Sequence, residues 1–236
     1  MIFFLYALLA QMVSKISHRG YVDNKFTMEN SYKSIANALE KNFDMIELDV
    51  QLTKDNILIL HHDLFVETNA NDLKMISDMK YSELKKLKNH VLTLDELFKI
   101  QNIDKKSIYL DLKGSDKLAE KLVYFLDDLS FNNNIYLGTF NKKHLNKLKE
   151  SNISDKQNIK LGLITYNSLL DKDLINCKLD YDIDFLSLHW EMLREDTIKA
   201  LNNINVKCFV YTCKNNFILD QINKFNIDGI VSDIII

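Results

Sequence analysis

Glu47 and Asp49 stand in a stretch that otherwise reads as a buried strand. In MIELDVQLTKDNILILHHD, residues 45–63, they alternate with Ile46, Leu48 and Val50, and His61, His62 and Asp63 close the segment. A period of two puts the three aliphatic side chains on one face and both carboxylates on the other. The same alternation recurs in IYLDLK, where Ile108, Leu110 and Leu112 share one face and Tyr109, Asp111 and Lys113 the other. A buried carboxylate without compensation costs on the order of several kcal/mol, and neighbouring carboxylates repel. Something positive must therefore meet Glu47, Asp49 and Asp111. Two partners are open: a hard divalent cation with oxygen ligands, Mg²⁺ or Ca²⁺, or ion pairs with Arg19 and Lys113. His18, at the end of an apolar run, and His62 suit proton transfer near neutral pH. Taken singly, each is more often a structural histidine. Arg19 and Lys113 would serve an anionic substrate, and the arginine fork favours phosphate.

The elements that must position these residues alternate along the chain. Strand-like runs fall at 12–17, 44–50, 107–113, 134–140, 159–166, 184–190, 206–212 and 228–233, with helical patterns between them. Asn30–Glu40 carries Tyr32, Ile35, Ala36 and Leu39 at helical spacing. Thr93 with Glu96 three residues later is a capping-box signal. Strands alternating with helices imply a parallel sheet with right-handed crossovers. Eight such units in 236 residues favour a (β/α)8 TIM barrel over a doubly wound open sheet. One segment breaks the pattern. Only Thr53–Asn56 separates two β runs, too few residues for a parallel crossover. The second strand is thus expected to extend into an antiparallel hairpin. Counting out from the turn pairs Leu52 with Ile57, Val50 with Ile59 and Glu47 with His62, which brings His62, and not His61, to the level of the carboxylates. These ends of strands are where barrel active sites lie.

Composition narrows the classes further. The chain is 47% hydrophobic and 27% charged, which fits one sizeable core. A net charge of -3 gives no electrostatic case for a nucleic-acid partner. With no proline and five glycines, turns must lean on Asn and Asp. Cys177, Cys208 and Cys213 are odd in number and irregularly spaced, so they are expected to be reduced and structural. Residues 1–12 are expected to form a separate apolar segment before a single domain over 13–236. MIFFLYALLA is too short to span a bilayer as a helix and lacks the basic start of a signal peptide. It is read as a helix against the domain, with weak membrane contact through residues 1–10 as the alternative. The expected location is the cytoplasm, with peripheral membrane association open.

On these motifs the chain resembles the glycerophosphodiester phosphodiesterase family. His18-Arg19-Gly20 matches that family's opening pattern, and Met28-Glu29-Asn30-Ser31 partly matches its Pro-Glu-Asn-Thr element. Glu47-Leu48-Asp49-Val50, the Thr53-Lys54-Asp55-Asn56 turn and His62-Asp63 follow in order, then Asp111-Leu112-Lys113, Thr139-Phe140 and Asp228–Asp233. The resemblance covers residues 14–233. It implies a barrel enzyme that hydrolyses glycerophosphodiesters, or lysophospholipids, to glycerol 3-phosphate, or a lysophosphatidic acid, and an alcohol. By the matched positions, Glu47, Asp49 and Asp111 would bind a divalent cation, His18 and His62 would be the acid/base pair, and Arg19 and Lys113 would hold the phosphate. Glu29, Phe140 and Tyr211 would support the substrate pocket. Asp111 stands where the family usually has Glu, Tyr211 where it has Trp, and Glu67 where an Arg follows the His-Asp pair. The alternative is a catalytically silent barrel that binds phosphate esters.

Overall fold

The computed structural model describes residues 13–69, 72–167, 169 and 171–236. The expectation for residues 1–12, a helix or weak anchor, lies outside the described residues. The first part of the chain forms β1 (Ser14–Ser17), α1 (Tyr32–Glu40), β2 (Met45–Leu52), β3 (Leu58–Leu60), β4 (Phe65–Glu67) and β5 (Leu73–Met75). Then come α2 (Tyr81–Leu87), α3 (Leu94–Phe98), β6 (Ser107–Leu112), α4 (Leu118–Asp127), β7 (Ile135–Thr139) and α5 (Lys142–Glu150). The remainder is β8 (Ile159–Thr165), α6 (Asp171–Tyr181), β9 (Phe185–His189), α7 (Glu195–Asn203), β10 (Lys207–Cys213), α8 (Asn216–Ile222) and β11 (Gly229–Ser232).

Strands β1, β2 and β6 to β11 pair in parallel, and β1 closes the ring by pairing with both β2 and β11. Closure decides for the (β/α)8 barrel over the open sheet. Two apolar layers hold it. Outside the ring, Ile46, Leu48, Val50, Ile108, Leu110 and their counterparts pack against the helices, as the alternation predicts. Inside, Ile16, Met45, Tyr109, Tyr136, Phe185 and Phe209 fill the lower barrel. That plug needs small neighbours. A Cβ on Gly138 would stand 2.6 Å from the Tyr109 hydroxyl, and one on Gly162 would strike the Phe185 ring, so these strand glycines make room for aromatic rings.

Local chemistry explains the ends of the elements. Thr93 and Glu96 form the expected capping box: the Thr93 hydroxyl accepts from the Glu96 N–H at 3.1 Å and the Glu96 carboxylate from the Thr93 N–H at 2.7 Å. Asparagine takes over the turn role, with Asn30, Asn56, Asn102, Asn152 and Asn205 all in the left-handed region. The β4–β5 hairpin and α2 have no counterpart in the sequence reading. Their three-residue strands are too short to show a period, and β5 has no buried residue.

The β2–β3 hairpin forms, but its register is one residue from the expected one. Leu52 pairs with Leu58, Gln51 with Ile59 and Val50 with Leu60. The cause lies in the turn: Asn56 sits at φ 60° and donates its N–H to the Thr53 carbonyl, while Thr53 N–H donates to the Ile57 carbonyl at 3.0 Å. Thr53 is thereby drawn into the ladder and the loop shrinks to Lys54-Asp55-Asn56.

Candidate active site

The shifted register should have turned His62 away from the carboxylates, because a one-residue slip exchanges the two faces of a strand. The chain avoids this by leaving the ladder. After His61 donates its N–H to the Asp49 carbonyl at 3.0 Å, the Gln51 side-chain amide donates to the carbonyls of His61, His62 and Asp63 at 2.8, 3.2 and 2.8 Å. One buried amide thus turns the segment, and His62 lines the cavity at the barrel mouth. His61 goes elsewhere. Its Nδ1 donates to the Asp63 carbonyl at 3.0 Å, and it lines a neighbouring pocket beside Lys88 and His90, whose wall His62 shares, but not the mouth cavity. The expected outcome for the two histidines stands, although the register offered for it does not.

The mouth cavity holds about 470 Å³. Its floor is the acidic group. Asp49 and Asp111 are direct neighbours across β2 and β6, and Glu47 lies two residues below Asp49. One carboxylate oxygen from each lies within 4.8 Å of the others, and all three residues are buried. Lys113 Nζ stands 2.9 Å from Asp111 and 3.3 Å from Asp49. Arg19 Nε is 3.3 Å from Asp49, close enough for an ion pair but without a hydrogen bond, and Arg19 Nη1 donates to Glu29 at 2.8 Å. Asn30 completes the Asp49 environment by donating to its carboxylate at 2.8 Å and accepting its N–H at 3.0 Å. Arg19 and Gly20 both have positive φ, and this turn aims the Arg19 N–H at the Glu47 carboxylate, 2.8 Å away.

These contacts separate the two open readings of the acids. Ion pairs do exist, and they account for Asp49 and one oxygen of Asp111. They leave Glu47 with no side-chain cation and Asp111 Oδ1 buried with no partner among the described residues. The protonation equilibria follow. Burial, then Asp49 and Asp111, push the Glu47 carboxyl well above the ordinary range. Burial and Asp49 raise Asp111, against the pull of Lys113. Asp49 resists the same burial, because Lys113 and Arg19 hold it below the usual carboxylate range. The acids in turn raise Lys113 and Arg19, outweighing burial, so both cations stay charged. Three hard oxygen donors with one orphaned lobe fit a divalent cation by donor chemistry.

Each histidine is oriented by a carboxylate. His18 Nδ1 lies 2.6 Å from Asp233, in the segment after β11, and His62 Nδ1 lies 2.8 Å from Asp63. Phe140 and Tyr211 line the cavity; Glu29 does not, and its contact is with Arg19. The sequence reading missed Asp233, Asn30 and Gln51 as organising residues, and Tyr166, His189 and Trp190 as lining. Asn30 and Asp233 sat within quoted motifs. Tyr166, His189 and Trp190 lie at or just beyond the C-terminal ends of β8 and β9, the position that builds barrel mouths.

A barrel whose C-terminal mouth joins clustered carboxylates to two cations and two carboxylate-held histidines belongs among hydrolases that handle phosphoryl groups. Comparison with known proteins narrows this. The family model for the glycerophosphoryl diester phosphodiesterase family matches residues 18–236, and the chain belongs to that family. A glycerophosphodiester phosphodiesterase of Caldanaerobacter subterraneus subsp. tengcongensis is 26% identical over 235 residues, covering 92% of this chain and 93% of its relative. A putative glycerophosphodiester phosphodiesterase from Galdieria sulphuraria superposes with a TM-score of 0.81 at 17% identity, covering 95% of each chain. An Oleispira antarctica phosphodiesterase, solved with the product sn-glycerol-3-phosphate, gives 0.76 at 19% identity, covering 93% of this chain and 92% of the other. At that identity the two structures speak for the fold. No helix among the described residues is long and apolar enough to cross a membrane.

Proposed function

We propose that this protein hydrolyses glycerophosphodiesters, with lysophospholipids as chemically equivalent diesters, to glycerol 3-phosphate or its acylated form and an alcohol. The observation that carries this reading is the convergence of Glu47, Asp49 and Asp111 oxygens within 4.8 Å in a cavity that His18 and His62 also line. Glu47, Asp49 and Asp111 would hold Mg²⁺ or Ca²⁺, and such an ion supplies neutralisation of phosphoryl charge and a lowered pKa for a bound hydroxyl.

The chain's own residues supply the rest. Arg19 spends Nη1 on Glu29 and turns Nε toward Asp49, which leaves donors on the far side of the guanidinium for a phosphate oxygen. Lys113 keeps one of its three N–H donors beyond those facing Asp111 and Asp49. With Nδ1 of His18 held by Asp233 and Nδ1 of His62 held by Asp63, each ring presents Nε2 as the proton-transfer atom. One histidine takes the proton of the attacking hydroxyl; the other protonates the leaving alkoxide. The test is release of glycerol 3-phosphate from a panel of glycerophosphodiesters, with and without EDTA. Turnover that EDTA stops and Mg²⁺ or Ca²⁺ restores is expected. Absence of turnover across the panel leaves the silent phosphate-ester binder.

A further inference from the structure

The two histidines of the mouth are held in different ways. His18 Nδ1 lies 2.6 Å from Asp233, which stands 215 positions away, beyond the last strand of the barrel. His62 Nδ1 lies 2.8 Å from Asp63, the next residue in the chain, whose side chain is 72% exposed. A carboxylate that moves with its histidine sets the tautomer but does not tie the ring to the barrel. The backbone gives little help. The ladder between β2 and β3 ends at Val50 and Leu60. After the His61 N–H bond to Asp49, the next backbone tie among the described residues is the Leu64 carbonyl, which accepts from the Ile76 N–H at 2.9 Å. His62 and Asp63 stand between those ties. The Gln51 amide bridges the gap through its bonds to the carbonyls of His61, His62 and Asp63.

Gln51 is itself fixed. It is buried, and the period of two puts its side chain on the face of β2 that carries Glu47 and Asp49. A buried amide left without partners is costly, and here its two N–H donors are shared among three carbonyls. Its Oε1 lies beside the turn after Lys113: a Cβ on Gly114, at φ 80°, would stand 3.6 Å from it. One side chain thus joins the exit of the hairpin to the strand that bears two of the acids. We propose that Gln51 is a positioning residue for the reaction, its amide setting where the His62 ring stands relative to Glu47 and Asp49. The inference rests on the phosphodiesterase reading for the role of His62, and on the hydrogen bonds for its place. The hairpin has other support, because Leu58, Ile59 and Leu60 are buried and paired to β2 through the backbone.

The test is a double-mutant cycle on kcat with Gln51→Met and His62→Ala, joined to the crystallographic position of the His62 ring in Gln51→Met. Gln51→Met should lose at least about tenfold in kcat, since a misplacement of about 1 Å can cost about a hundredfold. KM should stay within about twofold, because the groups that would hold the phosphate are untouched. In a protein already lacking the His62 ring, the same substitution should cost less than about twofold, as expected of a residue that acts through another. An unchanged kcat, an equal loss with and without His62, or a His62 ring that has not moved overturns the inference. Gln51→Asn, which keeps the donors one methylene short, serves the same cycle and the same crystallography where Gln51→Met does not fold. If the intact protein hydrolyses no glycerophosphodiester, the phosphodiesterase reading falls and the ring position decides alone. His62 displaced from the mouth in the folded variant then keeps Gln51 as the residue that places it, and His62 unmoved overturns that role as well.

Discussion

The mouth of the barrel has two unlike halves. Around β1, β2 and β6 it is ionic, with His18, Arg19, Glu47, Asp49, Asp111 and Lys113 tied by ion pairs and short hydrogen bonds. From β7 to β10 it is aromatic. Phe140 stacks on Tyr166 at 5.2 Å between centroids, Tyr166 meets Tyr211 edge-on at 5.6 Å, and His189 lies 5.7 Å from Tyr211. In the ionic half Arg19, Asp49, Asp111 and Lys113 are mutually paired, and removing one of these four leaves a charge at the site uncompensated. The aromatic half is a wall whose rings mostly touch each other, and Tyr166 is 60% exposed. On the proposed function, the first half would act on the phosphoryl group and the second would contact whatever the phosphate carries. If that division is right, substitutions in the ionic half act on kcat and substitutions in the aromatic half act on KM.

The largest effect should come from Glu47→Gln. The change removes a carboxyl that has no ion pair with a side-chain cation among the described residues and keeps the shape, so the fold should survive with an unaltered thermal midpoint. Turnover should fall by at least about a thousandfold, the upper end of what one placed electrostatic group supplies, and EDTA should do the same to the unmodified protein. Full activity in EDTA would dissolve the distinction between the halves, since the acids would then be structural.

Next in size is His62→Ala, with an expected loss of at least about a hundredfold in kcat, and His18→Ala should be comparably severe. His61→Ala, on the far side of the turned segment, should change kcat little. The pair of adjacent histidines is a sharp internal control, because His62 lines the mouth cavity and His61 does not. A crippled His61→Ala protein beside an active His62→Ala protein would break the assignment.

The same pair shows what the sequence could tell. Ionic residues alternating with aliphatics in a buried strand are an anomaly on sight, so Glu47, Asp49, Asp111 and Lys113 were legible, as was the barrel from its eight alternating units. From the strand pattern alone, which histidine turns in was legible only by a count that failed, although the match of His62-Asp63 to the family motif selected the same residue independently. The count from the turn assumed four loop residues, and Asn56 in the left-handed region leaves three. Gln51 corrects the outcome through three carbonyl contacts of a side chain, and no pattern in a sequence announces those. The aromatic half was hidden for another reason. Tyr166, His189 and Trp190 end apolar runs, where a ring that lines a cavity and a ring that fills a core look alike.

A subtler effect belongs to the cation. In the cation-free site Glu47 and Asp111 hold their protons above the ordinary carboxylate range, mainly because they are buried. A raised carboxyl pKa in the folded state means that the proton favours folding. Stability without cation should therefore decline as pH rises from the unfolded value of about 4.5 toward the raised one. A cation must displace that proton, so its affinity should climb with pH and its binding should release protons. Asp49, already held low by Lys113 and Arg19, adds nothing to this release. Calorimetry of Mg²⁺ or Ca²⁺ binding in two buffers of different ionisation enthalpy measures it. Heats independent of the buffer would show Glu47 and Asp111 already ionised, and the ionic half less strained than its contacts imply.

The smallest expected effect is the one that probes the aromatic half. Tyr166 sits at the centre of the wall, against Phe140, Tyr211 and His189, yet its exposure means that Tyr166→Ala opens no cavity in the core. Tyr211 keeps its own anchor, a hydroxyl donated to the Thr165 carbonyl at 3.1 Å, so the rest of the wall should hold its place and the thermal midpoint should barely move. What is lost is one face for the substrate. An aromatic contact is worth about 0.5–1.5 kcal/mol beyond its buried area, and about 1.4 kcal/mol is tenfold. KM should therefore rise roughly two- to tenfold by that conversion, with kcat nearly unchanged, because a contact made equally in the ground and transition states alters KM alone. Steady-state kinetics on the best glycerophosphodiester of the panel decides the matter. A fall in kcat with KM constant would mean that the wall tightens only as the phosphoryl group reacts, and the two halves of the mouth would then be one catalytic surface.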